Sequence, residues 1–175
     1  MCAQRLTDDS KLRLYFFDVS SRIIEVVASC NTAELTDCNS TSSKVLLEEG
    51  PSSTSGLGAM HWGNSSTDEG HQVRVLFADE RNRLRQLVYN ATQWNDSPEN
   101  KGFSVANGSS ITTAVDDNNL TASETDLRVF YRDPDSVITG LLGRSTSDNY
   151  AGERSSSIIY SPGKMKVTNR DHSCN

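Results

Sequence analysis

The chain of 175 residues has the length of one ordinary domain or of part of a larger protein. Apolar residues make up 35% and charged residues 23%, and the net charge is −6, so the sequence is polar without being disordered by composition. It has no run of 18 apolar residues, which excludes a membrane-spanning helix. An acidic chain without a basic stripe is also a poor partner for nucleic acid.

The N-terminal residues and the cysteines bear on where the protein works. Residues 1–9 contain no apolar core of signal-peptide length, so we expect a cytoplasmic protein or one secreted without a signal peptide. We interpret the cysteines as free thiols of an intracellular chain, although Cys30 and Cys38 are close enough in sequence to close a small loop in an oxidising compartment. Neither the cysteines nor the histidines have metal-ligand spacing, and we expect no metal and no cofactor.

A pattern of sixteen positions occurs three times without a gap, over residues 12–27, 73–88 and 127–142. Each copy begins with an apolar residue and an arginine and continues with apolar residues at alternate positions, which is typical of a half-buried strand. In the middle of each copy stand the Asp, Asn, Ser and Pro residues that chain reversals favour. Each copy therefore predicts two antiparallel strands around a tight turn.

Further strands are expected on both sides of these hairpins. Residues 56–62 and 110–115 precede the second and third hairpins, and residues 44–47, 103–105 and 157–160 follow the three hairpins as candidate fourth strands. Four short strands every 50 to 60 residues predict the blades of a β-propeller, an all-β fold. The rival interpretation, a solenoid of helical repeats, conflicts with the alternation of period two.

We place the blades at about residues 1–50, 56–106 and 110–160, followed by a tail over 161–175. Three blades do not close a ring, and the open ends would leave two apolar faces in water. We therefore expect either a homo-oligomer, with a dimer as the simplest case, or a fragment of a longer propeller.

The hairpins resemble those of a known family. The run Leu12–Asp18 followed by Glu25, and the run Leu57–Gly63 leading to Val73–Val75, are similar to the blades of fungal fucose-specific lectins of the Aleuria type. The resemblance covers residues 12 to 142. It implies half of a six-bladed ring, and a carbohydrate-binding protein without catalysis whose partners are fucosylated glycans and glycoproteins.

The resemblance also implies a binding site between neighbouring blades. In the family one blade supplies an Arg and a Glu or Gln, and the next blade supplies the aromatic pair Tyr-x-x-x-x-Trp. This sequence offers Arg13 and Glu25 in the first unit and Tyr89 and Trp94 in the second, as the one complete set. Guanidinium and carboxylate groups suit the hydroxyl and ring oxygens of a sugar, and an aromatic ring covers its C–H face.

The other two candidate pockets are incomplete. Arg74 and Gln86 form a second, weaker candidate site, because Gly143 and Asp148 stand where the aromatic pair belongs, although Tyr150 is nearby. In the third unit Arg128 faces Gly140, so the carboxylate is missing and we expect no binding there.

Simpler interpretations stay open beside these. Arg13 and Glu25 also fit an ordinary cross-strand ion pair, and Trp62 and the aromatic run 15–17 fit a hydrophobic core. At the level of function, the alternatives are a structural or protein-interaction propeller with decayed sugar sites, and a sialidase- or fucosidase-like glycoside hydrolase supported by fold analogy alone.

Overall fold

The computed structural model describes residues 2–6, 11–30, 38–62, 72–90, 93–97, 103–116 and 126–144. In this part of the chain the regular structure is antiparallel β-sheet, and no helix has the length and hydropathy that crossing a membrane would take. The strands are β1 (Cys2–Leu6), β2 (Lys11–Phe17), β3 (Ile23–Ser29), β4 (Asn39–Leu47), β5 (Leu57–Trp62), β6 (Gln72–Ala78), β7 (Leu84–Asn90), β8 (Trp94–Ser97), β9 (Ile111–Asp116), β10 (Asp126–Arg132) and β11 (Ile138–Arg144).

These strands form three separate sheets, each with its strands side by side in chain order. The first sheet contains β1 to β4, the second β5 to β8, and the third β9 to β11. The predicted all-β, blade-like fold is confirmed, and the three predicted hairpins are β2–β3, β6–β7 and β10–β11. The candidate fourth strand at 157–160 lies outside the described residues, as does the tail at 161–175.

Two strands differ from the prediction. The N-terminal segment forms β1 against β2, which the sequence analysis did not anticipate. In the second sheet the fourth strand is β8, whereas the predicted strand at 103–105 makes only an isolated bridge from Ser104 to Arg83. Val105 is buried in the core instead, so its apolar character reflects packing rather than strand pairing.

An aspartate closes each hairpin turn. The Asp18 carboxylate accepts hydrogen bonds from the backbone N–H groups of Ser20 and Arg22, and Asp79 binds the N–H groups of Arg81 and Arg83 in the same way. The side chains of Arg22 and Arg83 return to these carboxylates as ion pairs. The hydrogen bond from the Arg22 side chain is the main cause that lowers the pKa of Asp18. A turn is therefore fixed by residues within five positions of each other.

Each turn also contains a residue with a left-handed backbone. The φ angles of Ser21, Asn82 and Ser136 are +61°, +56° and +64°. These three residues occupy the same position, three after the aspartate of each turn. Short polar side chains tolerate this conformation better than branched apolar ones, so the turn chemistry repeats with the strands.

The sheets pack face to face through apolar side chains at two contacts, which we call the first joint (first sheet against second) and the second joint (second sheet against third). Alternation along a strand sends neighbouring side chains to opposite faces, so the second sheet contributes to both joints. The first joint buries Tyr15, Ile23, Leu57, Val73, Val75, Phe77 and Leu87. The second joint buries Met60, Trp62, Leu76, Leu84, Leu127, Val129, Tyr131 and Leu141, among others.

Glycine allows the backbones to approach closely at the second joint. A Cβ atom on Gly56 would lie 2.7 Å from the backbone N of Ile111 and the backbone O of Ser109. A Cβ on Gly58 would lie 2.9 Å from the Thr113 side chain. The strands β5 and β9 therefore touch with almost no side chain between them.

Cys30 and Cys38 form a disulfide bond, so the expectation of free thiols is wrong for this pair. The reason is strand pairing: Ser29 of β3 lies opposite Asn39 of β4, which places the next pair of residues side by side. The bond joins the end of β3 to the start of β4.

Candidate functional site

The four residues that the sequence analysis assigned to one site come from four strands and meet at the first joint. Arg13 lies on β2 and Glu25 on β3, while Tyr89 and Trp94 lie on β7 and β8. Glu25 lies opposite Tyr15 in the strand register, and Arg13 lies opposite Val27, so Arg13 and Glu25 are diagonal neighbours on one face. Tyr89 and Trp94 lie directly opposite each other on the facing sheet.

The Glu25 carboxylate is the centre of this site. Arg13 Nη1 donates to Glu25 Oε1 at 2.6 Å, and the Tyr15 hydroxyl donates to the same oxygen at 3.1 Å. From the neighbouring sheet, Trp94 Nε1 donates to Glu25 Oε2 at 3.3 Å. One carboxylate therefore links the two sheets by hydrogen bonds.

Aromatic rings enclose the polar group. The Arg13 guanidinium lies over the Tyr89 ring, with Cζ 5.2 Å from its centroid. The rings of Tyr89 and Trp94 are 5.4 Å apart and tilted by 45°, and the Tyr15 ring meets Trp94 edge-on at 6.0 Å. Such cation–π and edge-to-face contacts are favourable and hold the rings in fixed orientations.

The site combines charge with limited access to solvent. The side chains of Arg13 and Glu25 are only 15% and 6% exposed. Burial by itself lowers the pKa of Arg13, but the hydrogen bond and the negative charge of Glu25 outweigh it and raise that pKa above its ordinary value. Arg13 Nε is buried and has no hydrogen-bond partner among the described residues.

The second candidate pair, Arg74 and Gln86, is also brought together, but in a closed environment. Arg74 Nη1 lies 3.5 Å from Gln86 Oε1, and its guanidinium stacks on the Trp62 ring at 5.1 Å. All three side chains are buried, at 1%, 0% and 2% exposure. Trp62 was expected to be a core residue, and its place in the core of the second joint confirms this.

The third unit has no comparable arrangement among the described residues. Arg128 is exposed on β10, and Gly140 lies opposite Phe130, whose ring would be 3.2 Å from a Cβ at that glycine. Gly143 pairs with Leu127 in the sheet. Asp148 and Tyr150, which stand at or near the expected aromatic pair, lie outside the described residues.

Sequence reasoning missed one polar contact of the site. Tyr15 was assigned to packing, and it is indeed fully buried in the core of the first joint, yet its hydroxyl also donates to Glu25. Comparison of the repeats could have indicated this contact, because the equivalent positions of the other two units hold Leu76 and Phe130, which lack a hydroxyl.

No protein-family model and no curated protein matches the sequence. The fold is similar to solved fucose lectins. The fucose-specific lectin of Aleuria aurantia superposes with a TM-score of 0.65 at 21% identity, over 85% of this chain and 46% of the lectin. A fucose lectin of Kordia zhangzhouensis, solved with methyl-fucoside, gives a TM-score of 0.53 at 21% identity, over 75% of this chain and 82% of that lectin.

These comparisons show the fold: three antiparallel sheets arranged as blades of a β-propeller. This chain spans about half the length of the Aleuria lectin that it matches.

Proposed function

We propose that the first joint binds the fucose of fucosylated glycans and glycoproteins, and that the protein acts as a lectin without catalysis. The observation that carries the proposal is the Glu25 carboxylate, which contacts the Arg13 guanidinium of its own sheet and the Trp94 indole of the next. The similarity in fold to solved fucose lectins supports it.

The chemistry of the residues fits a deoxy sugar. A guanidinium carries five N–H donors, and Glu25 Oε2 accepts one hydrogen bond among the described residues, so Arg13 can donate to sugar oxygens and Glu25 can accept from sugar hydroxyls. Tyr89 and Trp94 provide tilted aromatic faces for the C–H groups and the methyl group of fucose. One pocket thus offers polar orientation together with apolar cover.

The described contacts of Glu25 argue for binding rather than hydrolysis. A glycosidase pairs two carboxyl groups across the scissile bond. Glu25 instead contacts Arg13, Tyr15 and Trp94, which are all hydrogen-bond donors that hold a carboxylate in place.

The test is retention on a fucosylated resin, with elution by free fucose. We expect Trp94→Ala to abolish retention, because it removes both the apolar cover and the indole donor to Glu25. Arg128→Ala is the matched control: it removes an exposed arginine from a unit without the carboxylate, and retention should be unchanged. Retention that persists in Trp94→Ala, or that free fucose does not affect, would contradict the proposal.

A second candidate is a structural or protein-interaction propeller. The buried state of Arg74, Gln86 and Trp62 favours it, because a pocket of this type has already been filled by the side chains of the chain itself. A glycan array without signal from a folded, correctly assembled sample would support this function over the first.

We further propose that a second copy of the chain, or further blades of a longer chain, completes the ring. On the first sheet Leu12, Leu14 and Phe16 alternate with the side chains of the first joint, face away from it and are only half-buried. On the third sheet an open depression of about 470 Å³ is lined by Phe130 and Ile138 among others. Light scattering tests this proposal: a mass near twice 19.2 kDa indicates a closed pair, and a stable monomer contradicts it for this chain.

A further inference from the structure

We infer that Tyr15 is a positioning residue of the first joint, whose hydroxyl fixes the Glu25 carboxylate in the orientation that a sugar meets. This inference rests on the proposed function and deepens it, because it adds a residue that acts through Glu25 rather than by touching the ligand. Tyr15 lies directly opposite Glu25 in the β2–β3 register and is fully buried.

The hydrogen bonds explain how the orientation is fixed. Glu25 Oε1 accepts from both Arg13 and Tyr15, whereas Oε2 accepts only from Trp94 among the described residues. A carboxylate has about four acceptor positions, so the unused position lies on Oε2. The tyrosine hydroxyl keeps Oε1 on the Arg13 side, and this leaves Oε2 turned towards Trp94 and the ligand.

The repeats show that packing alone does not require a tyrosine at this position. In the second unit the equivalent residue is Leu76, which is fully buried in the second joint, and in the third it is Phe130. The hydroxyl therefore occurs in the one unit that has the carboxylate, since the partners of Leu76 and Phe130 are Gln86 and Gly140. The tyrosine hydroxyl and the carboxylate thus occur together in the first unit, and neither occurs at the equivalent positions of the other two units.

Tyr15→Phe removes the hydroxyl and keeps the ring that packs against Trp94. We expect the dissociation constant for methyl α-L-fucoside, measured by calorimetry, to rise about tenfold, because a buried hydrogen bond to a charged group is lost. Tyr131→Phe is the matched control, since Tyr131 is also buried but belongs to the second joint. It should leave the dissociation constant unchanged.

A double-mutant cycle separates positioning from packing. A neutral amide oxygen accepts a hydrogen bond about half as strong as a carboxylate oxygen does. Tyr15→Phe should therefore weaken binding only about threefold in a Glu25→Gln background. An equal loss in both backgrounds, or no loss in either, overturns the role of Tyr15 while leaving the lectin proposal intact. A folded, unaltered protein that does not bind the fucoside overturns both.

Discussion

The two joints are built on the same plan but differ in what fills them. Each has an arginine on the second strand of a sheet and a polar partner twelve residues later on the third, and in each the guanidinium contacts an aromatic ring. At the first joint the partner is the charged Glu25, and the rings come from the facing sheet. At the second joint the partner is the neutral Gln86, and the ring is Trp62 of the same sheet.

The difference lies in what occupies the space beside each arginine. Trp62 packs over Arg74 and is buried with it, so the space beside the guanidinium is taken by the protein. Trp62 Nε1 has no hydrogen-bond partner among the described residues, whereas Trp94 Nε1 donates to Glu25. Two tryptophans near two equivalent arginines thus have different roles: one fills space, and the other joins a polar network.

Substitution of either arginine should lower stability, but only substitution at the first joint should weaken binding. We expect Arg74→Ala to lower the free energy of unfolding by about 3 kcal/mol, because it leaves a cavity in a closed core. Urea unfolding monitored by tryptophan fluorescence measures this loss. Retention on fucosylated resin should be unchanged under conditions where the variant is folded.

Arg13→Ala is the counterpart at the first joint. Both side chains of the ion pair are mostly buried, and removal of Arg13 leaves the Glu25 carboxylate without its cation, so stability should fall by about 3 kcal/mol here as well. Fucoside binding should weaken at least a hundredfold, because the guanidinium donors and the ion pair that holds Glu25 are both lost. If instead Arg74→Ala eliminated binding and Arg13→Ala did not, the assignment of site and core to the two joints would be reversed.

A smaller effect on stability is expected at the β6–β7 turn, whose two strands contribute side chains to both joints. Asp79 closes the β6–β7 hairpin, which carries Arg74 on one face and Tyr89 on the other. Burial raises the pKa of Asp79, but the hydrogen bonds from Arg83 and Arg81 together lower it by a larger amount. The pKa of Asp79 therefore lies below its ordinary value. We expect Asp79→Asn to lower stability by about 1–2 kcal/mol at pH 7, because the charged acceptor is lost.

The pH dependence of this effect follows from the lowered pKa. The stabilisation is present above the pKa of the unfolded chain, about 3.9, and is lost as the pH falls through the lower pKa of the folded state. Urea unfolding at several pH values should therefore show the difference between Asp79→Asn and the unaltered protein shrinking below about pH 4. Asp135→Asn, at an exposed turn position, is the control. A difference that does not vary with pH would mean that the carboxylate charge contributes nothing.

The strands with strong alternation were predictable from sequence, and the weaker ones were not. Pairs such as β2–β3 and β6–β7 alternate apolar residues around an Asp-containing turn, so local physics suffices. The strand β8 consists of Trp94 and three polar residues and shows no such pattern, because it lies at the edge of its sheet. The apolar residues at 103–105 resembled a strand because Val105 packs in a core.

The candidate site was predictable in its members but not in its contacts. The resemblance to the fucose lectins assigned Arg13, Glu25, Tyr89 and Trp94 to one site, and the structure brings the four together. Trp62 was expected in the core, but its stacking on Arg74 was not predicted, because the two residues lie twelve positions apart on different strands. The disulfide between Cys30 and Cys38 likewise depends on the register of β3 with β4.

The self-contained turns have a consequence for how such a chain evolves. The turns at Asp18 and Asp79 are stabilised by residues within five positions of each other, so a duplicated hairpin contains all the residues that its turn needs. Gene duplication or deletion can then change the number of modules one at a time, while each copy acquires substitutions at its own pace. In this chain the Glu25 and Gln86 copies have diverged in this way, although both turns keep the aspartate and the arginine that close them.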